Sequence, residues 1–445
     1  MAYYTAFASC SGVIYFIRKQ GFTSLPQMIH VKYGKLSTFS FLLAVSYRLF
    51  NEVWSNSIVV ASFYGTYGTG GWWAAVIVST AIPMGYVFAG GMKTSLYTDV
   101  SQAIAAIVLF LIVMGAVGTA NAGKPPLIDF NPNNGTNMWT LEAGFDLVIV
   151  GFLQGMFSYP FFDPVLTDRA FLTSKEIMLP SFLFGGTIAG LFIFFFGFLG
   201  IYGATVGVGG APDQVAKALG PQYFSIMSLI MITSSLSTVD STFTSTSKAW
   251  GLEAFHFLVS GDPKTWKTAS KQDVWNGRLA IVIMAIIGTL PLIGSQTVLN
   301  ATTISGTVVM GLGPPIFGSL FFGSESKYCN YQVPLAFHFS FWVGVMFGVL
   351  LQVGYIPTGF SIGNGQFNTL LGFNLYGLLI CLGCYIAGIL LHMFVLPKSY
   401  STIAGKYKDD QVESEESNPK RTDEKPDGNT LPEPVSENSN TLQAV

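Results

Sequence analysis

Charge is what this sequence has least of. Asp, Glu, Lys and Arg together supply 10% of its 445 residues and the formal net charge is −2, so there is no basic face of the kind that grips nucleic acid. Cysteine is scarce too. The four residues, at positions 10, 329, 381 and 384, suggest no disulfide framework, and the pair in "CLGC" falls i, i+3 within an apolar run, where packing explains it better than redox or metal chemistry. The four histidines, His30, His256, His338 and His392, show no metal-ligand spacing, and no nucleophile motif such as GxSxG occurs. An enzyme is therefore not expected. The opening "MAYYTAFASCSGVIYFI" has no basic lead-in and no small-residue cleavage site, so it does not read as a signal peptide.

Apolar residues, by contrast, make up 50% of the chain, aromatics 15%, and the mean hydropathy is +0.50. That composition describes an all-α, polytopic membrane protein. A helix needs roughly 20 apolar residues to cross ~30 Å of hydrocarbon. Eleven stretches supply the pattern, near 2–17, 37–64, 71–90, 98–119, 145–161, 179–205, 222–250, 278–298, 302–323, 333–353 and 373–396. The loops between them form two alternating sets. One holds 13 basic residues (Arg18, Lys19, Lys32, Lys35, Lys93, Arg169, Lys175, Lys248, Lys264, Lys267, Lys271, Arg278 and Lys327) and the other holds only Lys124 and Lys217. The bias predicts an outside N-terminus and a cytoplasmic C-terminus, with the plasma membrane as the expected location. The sequon "NGT" places Asn134 in the longest loop of the predicted outer side as a glycosylation candidate, whereas Asn300 in "NAT" abuts the membrane and is expected to stay unmodified. From Lys398 onward lie 16 charged residues, and the tail is rich in Ser, Asn and Pro. Residues 1–396 thus read as a membrane domain and 397–445 as a disordered cytoplasmic tail, which could bind a cytoplasmic protein.

Polar groups interrupt the apolar pattern in a few places only. The run "TSSLSTVDSTFTSTS" over 233–247 holds 11 Ser or Thr hydroxyls and a carboxylate, yet follows directly on "YFSIMSLIMI". On a helix Ser234, Ser237, Thr238, Ser241 and Ser245 share one narrow stripe, with Asp240 at its edge. Small hydroxyl residues often serve helix packing. A carboxylate at mid-bilayer costs roughly 2.5 to 3.5 kcal/mol on insertion scales, however, and asks for a compensating cation. Neutral oxygens beside one carboxylate suit a hard cation such as Na⁺. In "AVSYRLFNEVWSNS", Arg48, Asn51, Glu52 and Ser55 share a face and Arg48 and Glu52 stand i, i+4. They form either an ion pair that clips helices together or the lining of a hydrated cavity in which Asn51 and Trp54 meet a small polar solute. "FLQGMFSYPFFDPVLTDR" is broken by Gly155, Pro160 and Pro164, and "SGTVVMGLGPPIFG" by Gly306, Gly311, Gly313, Pro314 and Pro315. Unwound backbone at membrane depth belongs where it meets protein or a water-filled site. Kinked helices with buried polar stripes are the pattern of a rocking transporter.

"AGGMKTSLYTDVSQ", with Gly90, Gly91, Thr98, Asp99 and Gln102 at the predicted cytoplasmic start of a helix, and "LSTVDS" at 236–241 together resemble the sodium:solute symporter family. "GFTSLPQMIHVKYG" after the first span and "TDRAFL" after the fifth resemble that family's corresponding loops, and the match runs from residue 1 to about 396. The resemblance implies an inverted five-plus-five helix repeat like that of the bacterial leucine transporter. It implies Ser237 and Thr238 as hydroxyl ligands of a sodium ion, with the Ser234 carbonyl beside them. Asp99 would be the acidic position on the sodium exit path, and Asp99, Ser237, Asp240 and Ser241 would surround a second sodium, although Asp240 stands where some relatives have Ser. Tyr159 matches an aromatic that closes over substrate from the cytoplasmic side in sugar-carrying members. Aligned this way, the first span is the second core helix, so the first core helix is expected to be missing and the chain to be N-terminally truncated.

The expected function is sodium-coupled symport of a small polar solute, with Na⁺ as a co-transported ion and no cofactor. Arg48, Asn51, Glu52, Gln154 and Tyr159 are the substrate-binding candidates. An amino acid-like solute ranks ahead of a sugar or another polar metabolite. A sensor or receptor on the transporter fold, or a fragment that does not transport, are the alternatives.

Overall fold

Glycine and proline decide where the helices of this chain break. The computed structural model describes residues 2–124, 127, 140–260, 269–294, 304–321 and 333–395, and every regular element among them is a helix. Asn134, Asn300 and the tail lie outside the described residues.

Helix α1 (Thr5–Lys19) is followed by α2 (Leu25–Ala61), which starts at Ser24, whose hydroxyl accepts the backbone N–H of Gln27 at 3.2 Å. At Gly34 the backbone turns to φ 83° and splits α2. Helix α3 (Gly70–Ala120) contains a second such break at Gly91, with φ 59° and ψ −154°, a conformation that only glycine adopts readily. The two spans expected at 71–90 and 98–119 are the halves of α3. The second half begins directly after Gly91, so Thr98 and Asp99 lie inside the helix and not at its start.

The segment after residue 144 breaks as its prolines predict. It forms α4 (Phe145–Phe157), the four-residue α5 (Tyr159–Phe162) and α6 (Pro164–Leu172). Pro160 and Pro164 occupy first-turn positions, where a missing N–H costs nothing. Asp163 caps α6 by accepting the Val165 N–H at 3.0 Å. Then follow α7 (Lys175–Thr205), the short α8 (Pro212–Leu219) and α9 (Pro221–Thr246). The sequence pattern ends this last span near 250, but the helix continues through two π-helical stretches, Ser247–Glu253 and Phe255–Ser260. Helix α10 (Lys271–Thr289) opens with a reciprocal cap between Ser270 and Asp273 and closes in a 3₁₀ turn, Leu290–Ile293. A 3₁₀ turn at Met310–Leu312 leads into α11 (Gly313–Phe321), and α12 (Pro334–Gln352) and α13 (Asn368–Val395) are the last elements among the described residues.

Six helices among the described residues are long and apolar enough to cross a membrane: α3, α7, α9 with its extension, α10 with its 3₁₀ turn, α12 and α13. The expected count of eleven is not confirmed by length and hydropathy, which count the two halves of α3 as one helix and take in the described residues alone. Helix α1 has 15 residues, α4 has 13, and α2 is long but carries Lys32, Lys35, Arg48 and Glu52. The distribution of polarity is that of a membrane protein. Phe184 and Leu111 are 70% and 63% exposed, while Asp240, Thr242 and Asn374 are wholly buried. Lipid accepts the former and cannot satisfy the latter. Helix α3 packs along α9, and α10 lies against the π-helical turns at a close backbone approach, where a Cβ on Gly251 would stand 2.5 Å from the Gly277 Cα.

Gly91→Ala is expected to destabilise the protein by about 1–3 kcal/mol, because a side chain is forced into a glycine-only conformation. Gly115→Ala, in a helix interior where a Cβ meets nothing within 4 Å, should be neutral or slightly stabilising. Thermal unfolding of the two variants in detergent compares them, and equal midpoints would show that the α3 break tolerates a Cβ.

Candidate functional site

The hydroxyl stripe of α9 faces the second half of α3. Its carboxylate, Asp240, is completely buried and its partners are all hydroxyls. Tyr86 donates to it at 2.6 Å, Ser95 at 2.7 Å, Thr98 at 3.0 Å and Ser241 at 3.1 Å. The cation that a buried carboxylate asks for stands beside its neighbour instead. Arg169, on α6, reaches Asp99 Oδ2 and the Ser241 hydroxyl, each at 2.5 Å. The other Asp99 oxygen accepts a short hydrogen bond from Ser237. Thr238 donates to the Ser234 carbonyl at 3.1 Å. The structure therefore brings Asp99, Ser237, Asp240 and Ser241 together and adds Tyr86, Ser95, Thr98 and Arg169, while Ser234 is exposed. A hydroxyl that gives its proton to a neighbouring acceptor keeps its lone pairs for a cation, and Ser237 and Thr238 are both in that condition.

A second cluster forms where α2 crosses the broken α4–α6 segment. Arg48 contacts Glu52 on its own helix in a close ion pair and reaches Asp163 through Nε at 3.3 Å and Nη2 at 3.1 Å. It also donates to the Tyr159 hydroxyl at 2.7 Å, and its guanidinium lies over the Tyr159 ring at 4.9 Å. Tyr3 packs its ring on Tyr159 with centroids 4.5 Å apart. Glu52 accepts from Asn56 at 2.9 Å and Asn51 accepts from Trp54 Nε1 at 3.1 Å. That leaves the buried Asn51 amide nitrogen without an acceptor among the described residues. Gln154 belongs elsewhere. It donates to Asn374 at 2.9 Å, and Asn374 donates to Thr307 at 3.2 Å, in a neutral cluster joining α4, α13 and the helical stretch 304–308.

A third cluster closes the far end of α9. Lys248, within the first π turn, pairs with Asp168 of α6 at 2.5 Å and with Glu253 at 3.4 Å. Arg169 and Lys248, loop cations by sequence pattern, are both internal partners of carboxylates. The basic bias between the loop sets then rests on 11 of the 13 residues.

Sequence reasoning missed Asp163, Asp168, Arg169, Lys248, Tyr86 and Ser95 as members of these clusters. A signal for Asp163 was present, since a carboxylate between Pro160 and Pro164 sits in unwound backbone. Tyr86 and Ser95 gave none, because their role depends on how α3 rotates past Gly91. Among the described residues no three His, Cys, Asp or Glu side chains gather to hold a metal.

Arg48→Met strands two carboxylates in the interior and is expected to cost about 3–5 kcal/mol. Glu52→Gln, which leaves Asp163 on the guanidinium, should cost less. Thermal unfolding of the pair gives the order, and a milder Arg48→Met would show that the charges are not coupled.

The profile of the sodium:solute symporter family matches residues 10–336. Among solved structures, the chain resembles a Na⁺-coupled sialic acid symporter in its substrate-bound, outward-open state, with a TM-score of 0.61 and 16% sequence identity over 89% of this chain and 83% of that one. No curated protein sequence matches.

Proposed function

The chain belongs to the sodium:solute symporter family, a family of multi-pass membrane transporters and not of enzymes, and we propose that its solute is a small polar organic molecule of amino acid-like character, carried inward with sodium. The observation that carries the solute class is the Arg48 cluster. It offers both signs of charge and an aromatic face, and the Asn51 amide is a donor still free for a solute oxygen. A zwitterion can be held there without leaving either of its ends unpaired. Gln154, bonded to Asn374 and Thr307, is a support of the neighbouring helices in this reading.

Sodium is assigned to the Ser234 carbonyl and the hydroxyls of Ser237 and Thr238, whose lone pairs remain unspent, with Asp99, Asp240 and Ser241 forming the exit path or a second ion position. One Na⁺ entering down a tenfold gradient supplies about 1.4 kcal/mol, and moving its charge through ~100 mV supplies about 2.3 more. The sum supports roughly 500-fold accumulation per coupled ion. Sodium has only to favour the state in which the solute cavity is open to the outside. The excess of basic residues on one loop set argues for an outside N-terminus and a cytoplasmic C-terminus.

Uptake of a labelled solute panel into proteoliposomes, with and without a sodium gradient, tests the reading. Ser237→Ala and Thr238→Ala should each raise the half-saturating sodium concentration by on the order of tenfold. An unchanged sodium dependence in both removes them from the ion site. Asp99→Asn should abolish accumulation while the protein is still made, and normal accumulation in that variant would reduce the carboxylate to a structural partner of Arg169.

A further inference from the structure

Away from the buried clusters, the turn between α2 and α3 and the short helix α8 line a half-open cavity of about 620 Å³. Its volume lies within the roughly 300–1,000 Å³ of ordinary small-molecule sites. Phe63, Tyr64, Tyr67 and Trp72 supply aromatic walls, and Asp213 and Lys217 supply one charge of each sign. The walls are fixed from behind. Tyr64 shares a hydrogen bond with Ser228 of α9 at 2.9 Å, and Tyr67 donates to the Leu292 and Ile293 carbonyls at the end of α10 at 3.1 and 2.7 Å. Tyr67 and Trp72 meet edge to face with centroids 5.1 Å apart. Rings held this way lose little freedom when a guest arrives.

The charges select the guest. Asp213 and Lys217 face each other at 3.3 Å across one turn of α8, and the Lys217 side chain is 57% exposed against 17% for Asp213. An exposed i, i+4 pair of this kind contributes little to stability, so it opens to a ligand at small cost. A lone anion would satisfy Lys217 and leave Asp213 facing like charge, and a lone cation would do the reverse. A molecule with an ammonium and a carboxylate a few ångströms apart replaces both halves of the pair, with its ammonium also on aromatic faces.

We propose that this cavity is a second binding site, for a zwitterionic amino acid, at the end of the molecule carrying the α2–α3 turn. Lys217 lies in the basic-poor loop set, which puts the cavity on the outer side as a loading site for solute on its way to the Arg48 cluster. That assignment of the guest as cargo rests on the symport reading, whereas the cavity and its preference for a zwitterion do not.

Binding and uptake are therefore measured separately on the full chain. In detergent, intrinsic tryptophan fluorescence is titrated with the standard amino acids, and with propionate and propylamine, each of which carries one of the two charges. At least one amino acid is expected to quench, with half-saturation about tenfold below that of either single-charge probe. Trp72→Phe should remove most of that signal. The double variant Asp213→Asn with Lys217→Met should raise half-saturation about tenfold, and the exchange Asp213→Lys with Lys217→Asp should restore much of the affinity, which a merely misfolded variant would not do. Absence of quenching by every amino acid, quenching that survives Trp72→Phe intact, or propionate performing as well as any amino acid each overturns the proposal. Sodium-dependent uptake without these responses sinks the cavity alone. The responses without any sodium-dependent uptake support the cavity and sink the symport reading.

Discussion

A charge placed among apolar helices must find its partner inside the protein, and most of this architecture follows from that constraint. Asp240 meets it with four hydroxyls and Asp99 with one guanidinium and one hydroxyl. Neither solution is available unless α3 lies along α9 with the correct rotation. The break at Gly91 sets that rotation, since it lets the second half of α3 take a direction of its own. The hydroxyl stripe is thus fixed by its neighbours as well as by its own helix.

The nine residues of α6 connect the clusters. Asp163 at its cap binds Arg48, Asp168 near its end binds Lys248, and Arg169 binds Asp99 and Ser241. Any displacement of this short helix is felt by the solute candidates on α2 and by the cation candidates on α3 and α9 together. Linkage between two ligands requires such a shared element, one whose position both can bias.

The helical class, the membrane setting and the stripe on α9 were legible because each rests on local pattern. Hydropathy marks the spans, a 3.6-residue period puts Ser237 and Ser241 on one face, and prolines 160 and 164 announce the break that separates α4, α5 and α6. The Arg48–Glu52 pair was legible for the same reason, as both residues belong to one helix. Its third member was not. Asp163 is 115 positions away from Arg48, and only the folding of α2 across the broken segment brings them together. Arg169 was misplaced by the same limit. Without the third dimension an arginine just beyond an apolar run counts toward topology, while in the fold its long stem carries the charge inward to Asp99. The number of spans does not follow from the helices alone, because Gly91 and the short pieces between 145 and 172 separate the question of where a chain is helical from that of where it spans.

The π-helical turns after Thr246 carry a geometric consequence. A π turn stores an additional residue in the ladder without lengthening it much, so conversion of one such turn to α geometry would rotate everything beyond it by about 100°, the angle between successive residues. Lys248 sits in the first turn and is tied to Asp168 of another helix. The ion pair thereby ties the π-helical segment to α6, so the angular setting of the chain beyond Thr246 and the position of that short helix are fixed together.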